Sequence, residues 1–329
     1  MSLLTQVPFY ACLPPSLSKY LSLSLISLED WALVIVNGKD AKKYLQGQLT
    51  CDILSLDFNH FSFAAHCNSK GKMFSHLLVF HYRNGIALIE RRSVRDIQVA
   101  ELKKFSIFSK TEIITDDNTT LLGIAGTQAK KMLEHFFSVP DKSYPVSHHH
   151  DTVLIYFSLP IPRYLLITTP TVRNMLYYML SKETQLKDSQ QWLLLDIESG
   201  YPIIDIANIT KFIPQSTNAE ALNAISFNKG CYLGQETVAR AKYCGTNKKS
   251  LYFLSGKANK LPTVGDSLEL KVKKDWRRTG IVLASCRSDK GTALVQAVLN
   301  NNLASSDLLR VCNDVNSLLS IQSLPCHNQ

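Results

Sequence analysis

No stretch of this chain approaches the run of about 20 apolar residues that a membrane-spanning helix needs, and this excludes an integral membrane protein of the helical kind. The first fifteen residues, MSLLTQVPFYACLPP, lack a basic segment followed by an apolar one, so no secretory leader is expected. Eight cysteines (Cys12, Cys51, Cys67, Cys231, Cys244, Cys286, Cys312 and Cys326) are scattered without a CxxC pair. That rules against a disulfide framework or a zinc module and suits free thiols in a reducing cytosol. There is no GxGxxG after a strand, no GxxxxGK[ST] and no HExxH. Nucleotide-driven and zincin chemistry are therefore not expected. Internal repeats and low-complexity tracts are also absent.

What is present is an ordinary globular composition, 45% apolar and 19% charged, in 329 residues. Such a chain is long enough for two or three domains with ample core. Its net charge of +9 and pI of about 9.0 favour anionic partners. The cations recur as Lys42-Lys43, Lys70-Lys72, Arg91-Arg92-Arg95, Lys103-Lys104, Lys248-Lys249 and Lys271 to Arg278. They are spread along the chain, so charge leaves three readings open: a solvated basic surface, RNA, or a polyglutamylated small molecule.

Residues 21–28 (LSLSLISL) and 31–37 (WALVIVN) read as strands, the second closed by an Asn-Gly turn. Asp40 is placed to cap a helix through AKKYLQGQL. Residues 61–67 and 73–81 make a hairpin, with 85–90 a further strand. Residues 94–105 predict a helix with Val94, Ile97, Leu102 and Phe105 on its apolar side. A strand over 121–125, Thr127 as N-cap and a helix over 128–137 follow. Residues 140–151 read as an exposed loop or a lobe junction, 153–168 as strands around a proline bend, and 171–190 as a helix. Hairpins interspersed with helices indicate α+β rather than a parallel βαβ sheet. From Leu251 to about residue 300, short strands alternate with turn signals, which predicts a separate small antiparallel sheet or barrel, with a polar tail beyond.

Three groups invite chemistry. His148-His149-His150-Asp151 offers metal-ligand side chains, but consecutive residues converge poorly on one ion, so a solvated loop is expected and no metal. Asp196 and Glu198 stand two apart, and on a strand they would share one face, as an acid–base pair or as surface. Cys231 lies between Gly230 and Gly234 in KGCYLGQE, ahead of a helix-like segment over 236–243. A thiol entering a helix N-terminus near Lys229, Arg240 and Lys242 is either a reactive thiolate or a half-buried small hydrophobe on a turn. Trp31 and Trp192 sit at the edges of apolar runs, as core or as planes for a flat heterocycle.

The stretch FIPQSTNAEALNAISFNKGCYLGQETVARAKYCGTNKKSLYF, residues 212–253, closely resembles the signature of the YgfZ-type folate-binding proteins, relatives of the glycine-cleavage T-protein (aminomethyltransferase). GKDAKKYLQGQLTCDI, LKKFSIFSK and DIESGYPIID extend the resemblance over most of the chain. It implies a three-lobed, ring-like aminomethyltransferase fold: two α+β (ferredoxin-like) lobes from residues 1–245 and a C-terminal β-barrel from 246–329, around a site for tetrahydrofolate or a one-carbon derivative. Trp31 and Trp192 match the family's pocket tryptophans, and Glu198 falls where the aminomethyltransferases keep a pterin-binding glutamate. Cys231 matches the signature cysteine, supported by Lys229, Gly230, Tyr232, Gly234, Gln235, Glu236 and Arg240. The aminomethyltransferases also carry a catalytic acidic pair after an early hairpin turn. Here that turn is Lys70-Gly71-Lys72, followed by Met73, Phe74, Ser75 and His76, with no carboxylate. The resemblance thus implies a cytosolic folate-binding accessory protein, not a classical aminomethyltransferase. Its implied role is to support iron–sulfur client enzymes, including those that thiolate tRNA. Two alternatives remain: a folate-dependent one-carbon transferase with Cys231 as nucleophile, and a module contacting RNA directly.

Overall fold

The computed structural model describes residues 13–180 and 184–325. The leader reading, Cys12, Cys326 and positions 181–183 of the expected 171–190 helix lie outside those residues.

In chain order the first elements are β1 (Ser24–Ser27), β2 (Trp31–Asn37), α1 (Ala41–Gln46), β3 (Phe61–Cys67), β4 (Met73–Tyr82), β5 (Gly85–Arg91), α2 (Arg92–Ser106) and β6 (Glu112–Asp116). Strands β2 to β6 form a five-stranded antiparallel sheet in the order β3-β4-β5-β2-β6. α1 and α2 cover one face through Tyr44, Leu45, Val99 and Leu102.

A second set follows: β7 (Thr120–Ala125), α3 (Ala129–Leu133), β8 (Val146–His148), β9 (Thr152–Phe157), β10 (Arg163–Thr168), α4 (Pro170–Leu180), β11 (Gln185–Lys187) and α5 (Ser189–Ser199). Its sheet runs β11-β1-β7-β10-β9-β8, with β1 and β11 parallel and the other neighbours antiparallel. β1 therefore belongs to the second lobe although it precedes the first in sequence. α3 and α4 cover the outer face of this sheet with Leu133, Leu176 and Leu180.

After α6 (Gln235–Tyr243) come β12 (Lys249–Lys257), β13 (Leu268–Val272), β14 (Asp275–Thr279), β15 (Ile281–Arg287), β16 (Ala293–Asn300), β17 (Leu308–Val311) and β18 (Leu318–Gln322). They form one antiparallel sheet, β14-β13-β17-β18-β12-β16-β15, wrapped around its own apolar core. The backbone of Val282 in β15 bonds to Gly265 and Asp266 just ahead of β13, which draws the ends of the sheet together into an open barrel. β17 and β18 lie mid-sheet, so the tail that reads as polar in sequence supplies two central strands.

The three units meet in one central core. Leu33 and Ile89 come from the first sheet, Leu165 and Ile167 from the second, Leu194 and Ile197 from α5, and Ala284 and Leu294 from the barrel. α5 is buried almost all round because it packs on β1 on one side and on β15 and β16 on the other.

Several local expectations change. Asp40 does not cap α1 with its side chain; its carboxylate accepts from the Lys110 N–H instead. On α2 the inward residues are Val94, Gln98, Val99 and Leu102, while Ile97 and Phe105 face solvent. The cap of α3 is Gln128, not Thr127. The 140–151 loop contains an edge strand, and the expected 171–190 helix is divided: α4 is described to Leu180, and a strand and a new helix follow from Gln185.

Candidate functional site

Trp31 opens β2 and pairs across the sheet with Arg91 at the end of β5. The Arg91 guanidinium lies 4.6 Å from the Trp31 ring centroid and reaches Asp205 at 3.4 Å. Trp192 and Asp196 are four residues apart on α5 and so share a face, directed at the same space. A small cavity of about 60 Å³ lies between them, bounded by Trp31, His76, Arg91, Trp192, Asp196 and Tyr201.

Behind this wall Arg163, fully buried on β10, donates to Asp196 Oδ1 at 2.7 Å and to the Leu159 carbonyl at 3.1 Å. Its guanidinium is 4.4 Å from the Trp192 ring centroid. Burial pushes the Asp196 carboxyl up from its ordinary range and the Arg163 cation pulls it back. An arginine stays protonated in a protein, so the two form an ion pair that fixes Trp192 and Asp196 together.

Phe63, Phe157 and Tyr201 separate this cavity from a larger outer one of about 290 Å³ that also touches His60, Lys142 and Asn223. The Phe63 and Tyr201 ring centroids are 4.9 Å apart, and Tyr201 is also held by Arg163, whose guanidinium lies 5.3 Å from its ring. Several buried polar atoms at the inner cavity, Arg91 Nε and Nη1 and His76 Nε2, have no hydrogen-bond partner among the described residues. Unpaired donors and acceptors beside two aromatic planes fit a flat, polar heterocycle.

Glu198 is not part of this cavity. Two residues on a helix are separated by about 200°, so on α5 Asp196 and Glu198 diverge, whereas a strand would have aligned them. Glu198 Oε2 accepts from the Ser18 N–H at 3.1 Å. Gln191, on the same side, brackets Ser16 through both its N–H and its carbonyl. Burial raises the Glu198 carboxyl, with the Ser18 bond opposing. Its work is to strap the segment ahead of β1 to α5.

The Cys231 motif forms a separate feature. Cys231 is exposed and borders a shallow depression with Gln48, Ser69 and Glu236. α6 begins at Gln235, four residues later, so the thiol is beyond the first turn where a helix dipole acts. Lys229 is occupied elsewhere: its Nζ donates to the Leu49 and Cys51 carbonyls at 2.8 and 2.6 Å and lies 5.2 Å from the Tyr232 ring. Burial lowers it to about 8. Tyr232 is buried, and Arg240 and Glu236 are exposed on α6. Gly234 (φ +84°) meets Gly71 of the β3–β4 turn so closely that a Cβ on Gly234 would sit 2.4 Å from the Asn68 carbonyl oxygen. Gly230 has no such close neighbour. The motif's glycine and lysine thus lock the 229–235 loop to the first lobe and leave the thiol outside.

The histidine run also resolves into structure: His148 stacks on Phe58 at 4.0 Å and His149 bonds to the Ser138 carbonyl. Sequence reasoning missed Arg163, Arg91 and His76. A lone arginine in the strand RYLLIT and a histidine in the apolar hairpin were the signals available. It also missed Glu90 on β5, next to the early hairpin. That carboxyl is buried with the Ser75 hydroxyl beside it, and burial pushes it up to about 8.

The comparisons agree with this architecture. Residues 247–314 match the family model described as the YgfZ β-barrel domain. The chain is 62% identical over 322 residues to the tRNA-modifying protein YgfZ of Sodalis glossinidius (strain morsitans), covering 98% of each chain. It is 52% identical over 321 residues to the protein of the same description from Pectobacterium atrosepticum, covering 97% of this chain and 96% of that one. Among solved structures, the glycine cleavage system aminomethyltransferase T of Bartonella henselae superposes with a TM-score of 0.73 at 14% identity, over 93% of this chain and 86% of the other. That similarity is one of fold: two α+β lobes with a C-terminal barrel.

Proposed function

Because this chain belongs to the YgfZ family, we propose that it binds tetrahydrofolate, or a one-carbon derivative of it, and thereby supports tRNA modification. The observation that carries the reading is the inner cavity, where two tryptophans flank buried polar groups that lack partners. Trp31 and Trp192 supply aromatic faces. Asp196 replaces Glu198 as the carboxylate for the amino and N–H edge of a pterin: one oxygen is held by Arg163 and the other is available to accept. The inner space is smaller than a bicyclic ring, so binding requires the Phe63–Phe157–Tyr201 partition to move and join the two cavities. Lys142 at the outer cavity is then the cation for an anionic tail.

The role in tRNA modification runs through iron–sulfur client enzymes such as those that thiolate tRNA, in the cytosol. The relatives' description as tRNA-modifying proteins supports this reading. Residues 1–245 act as the folate-binding region and 246–329 as a second domain. Cys231 borders neither cavity, which favours binding over the alternative of a transferase with that thiol as nucleophile. A redox or transfer role for Cys231 belongs to a separate step.

Anaerobic titration of tryptophan fluorescence with tetrahydrofolate tests this. Saturable quenching is expected for the wild type, Glu198→Ala and Cys231→Ala, and about 10-fold weaker binding for Asp196→Asn, the worth of one charged hydrogen bond. A wild type that shows neither quenching nor calorimetric heat would sink the reading.

A further inference from the structure

The fold sets the densest cationic run of the chain, KVKKDWRR at 271–278, on an open sheet edge. Residues 246–329 hold twelve Lys and Arg against six Asp and Glu, a net +6 of the chain's +9. The densest part is the β13–β14 hairpin, with Lys271, Lys273, Lys274, Arg277 and Arg278 all exposed. β14 is an edge strand, bonded to β13 alone within the sheet, so its other side is open. Register places Lys271 opposite Trp276 and Glu269 opposite Arg278. Arg310 of β17, opposite Glu269, lies 4.4 Å from the Trp276 ring centroid. Glu269 is neutralised by Arg310, and among the described residues no carboxylate pairs with the five hairpin cations. A groove of about 500 Å³ adjoins the strand and adds Lys260 and Arg278. Its two acids are engaged internally, Asp266 by Thr263 and Asp314 by Asn259.

We propose that this edge is an RNA-docking surface, in which the row of Lys and Arg takes consecutive phosphates and the Trp276–Arg310 pair offers planes for an unstacked base. Edge strands commonly carry lysine to prevent self-association, but that need accounts for neither the arginine-backed tryptophan nor the cationic groove. The hairpin exposes no large aliphatic side chain, so it has nothing to insert into a bilayer. An extended row of cations with aromatic and guanidinium planes matches single-stranded RNA better than a compact acidic patch. The inference goes beyond folate binding and does not depend on it.

The test is fluorescence anisotropy with an end-labelled, unmodified tRNA transcript between 50 and 200 mM salt. Four phosphate contacts predict an affinity loss of about 100-fold over that range. In Lys271→Ala/Lys274→Ala/Arg277→Ala the loss should shrink to about 3-fold. Trp276→Leu should weaken binding several-fold while leaving the salt slope unchanged. The control variant Lys103→Ala/Lys104→Ala/Lys110→Ala removes the same charge from the first lobe and should bind like the wild type. Equal losses in both triple variants, or tighter binding to anionic phosphatidylglycerol vesicles than to the transcript, would overturn the proposal. An unchanged Tm in the hairpin variants shows that they are folded, and an unchanged tetrahydrofolate titration keeps this outcome separate from the folate reading.

Discussion

Glu90→Gln gives the most direct check on the physics of the first lobe. The Glu90 side chain is 2% exposed, the Ser75 hydroxyl beside it favours the charged form only weakly, and burial pushes its carboxyl up to about 8. Arg95 and Asp96 on α2 are the nearest charges and oppose one another. In the unfolded chain the group loses its proton near pH 4.5. Between that pH and 8 the folded state therefore holds a proton that the unfolded state has lost, and stability must fall as pH rises. At about 1.4 kcal/mol per unit, roughly 3 kcal/mol is lost by pH 7 and about 5 by pH 8. Glutamine has the same shape and does not titrate, so the variant escapes the loss. At roughly 2 °C per kcal/mol for a chain of this size, its Tm by scanning fluorimetry should match wild type near pH 5. At pH 8 it should exceed wild type by 6 °C or more. Comparing variant with wild type at each pH cancels every other titrating group. An identical Tm difference at pH 5 and pH 8 would refute the reasoning, because it would mean that Glu90 is solvated or paired.

The neighbouring strands should show the opposite sign: burial depresses His66 to about 3, so below pH 6.5 the unfolded chain takes up a proton that the folded chain does not, and stability falls as pH drops. His66→Leu should therefore flatten the acid limb by up to about 1.4 kcal/mol per pH unit, read from urea midpoints at pH 4 to 6. Asp196→Ala leaves the Arg163 cation at 0% exposure without its counter-ion and should cost about 3–5 kcal/mol; Arg163→Met/Asp196→Leu should recover most of it in the same denaturation assay. Glu198→Ala breaks one bond to Ser18 and should cost only about 1 kcal/mol. Gly234→Ala requires a left-handed residue with its Cβ 2.4 Å from a carbonyl oxygen, and a Tm drop of several degrees is expected without any change at the tryptophan cavity.

Short-range order was legible in the residues themselves. WALVIVN is a strand with the bounds its apolar run implies, and the 61–82 hairpin follows from two largely apolar runs on either side of the Asn68–Gly71 turn, because a turn signal is local. The family was legible too, since a run such as GCYLGQE preserves a loop in which one residue, Gly234, has no substitute. The tertiary structure decided what a side chain faces. DIE reads as two carboxylates on one face only if it is a strand; in α5, a helix buried between two lobes and lacking a clear apolar stripe, Asp196 turns to the cavity and Glu198 to the N-terminal strap. His76 and Arg91 come from the paired strands β4 and β5 of the first sheet, but Arg163 comes from β10 of the second, so no spacing rule could assemble the three. Likewise β1 crosses into the second sheet, and Arg310 of β17 comes to lie beside Trp276 of the edge hairpin, because strand order is chosen by the packing of whole sheets and not by the order of the chain.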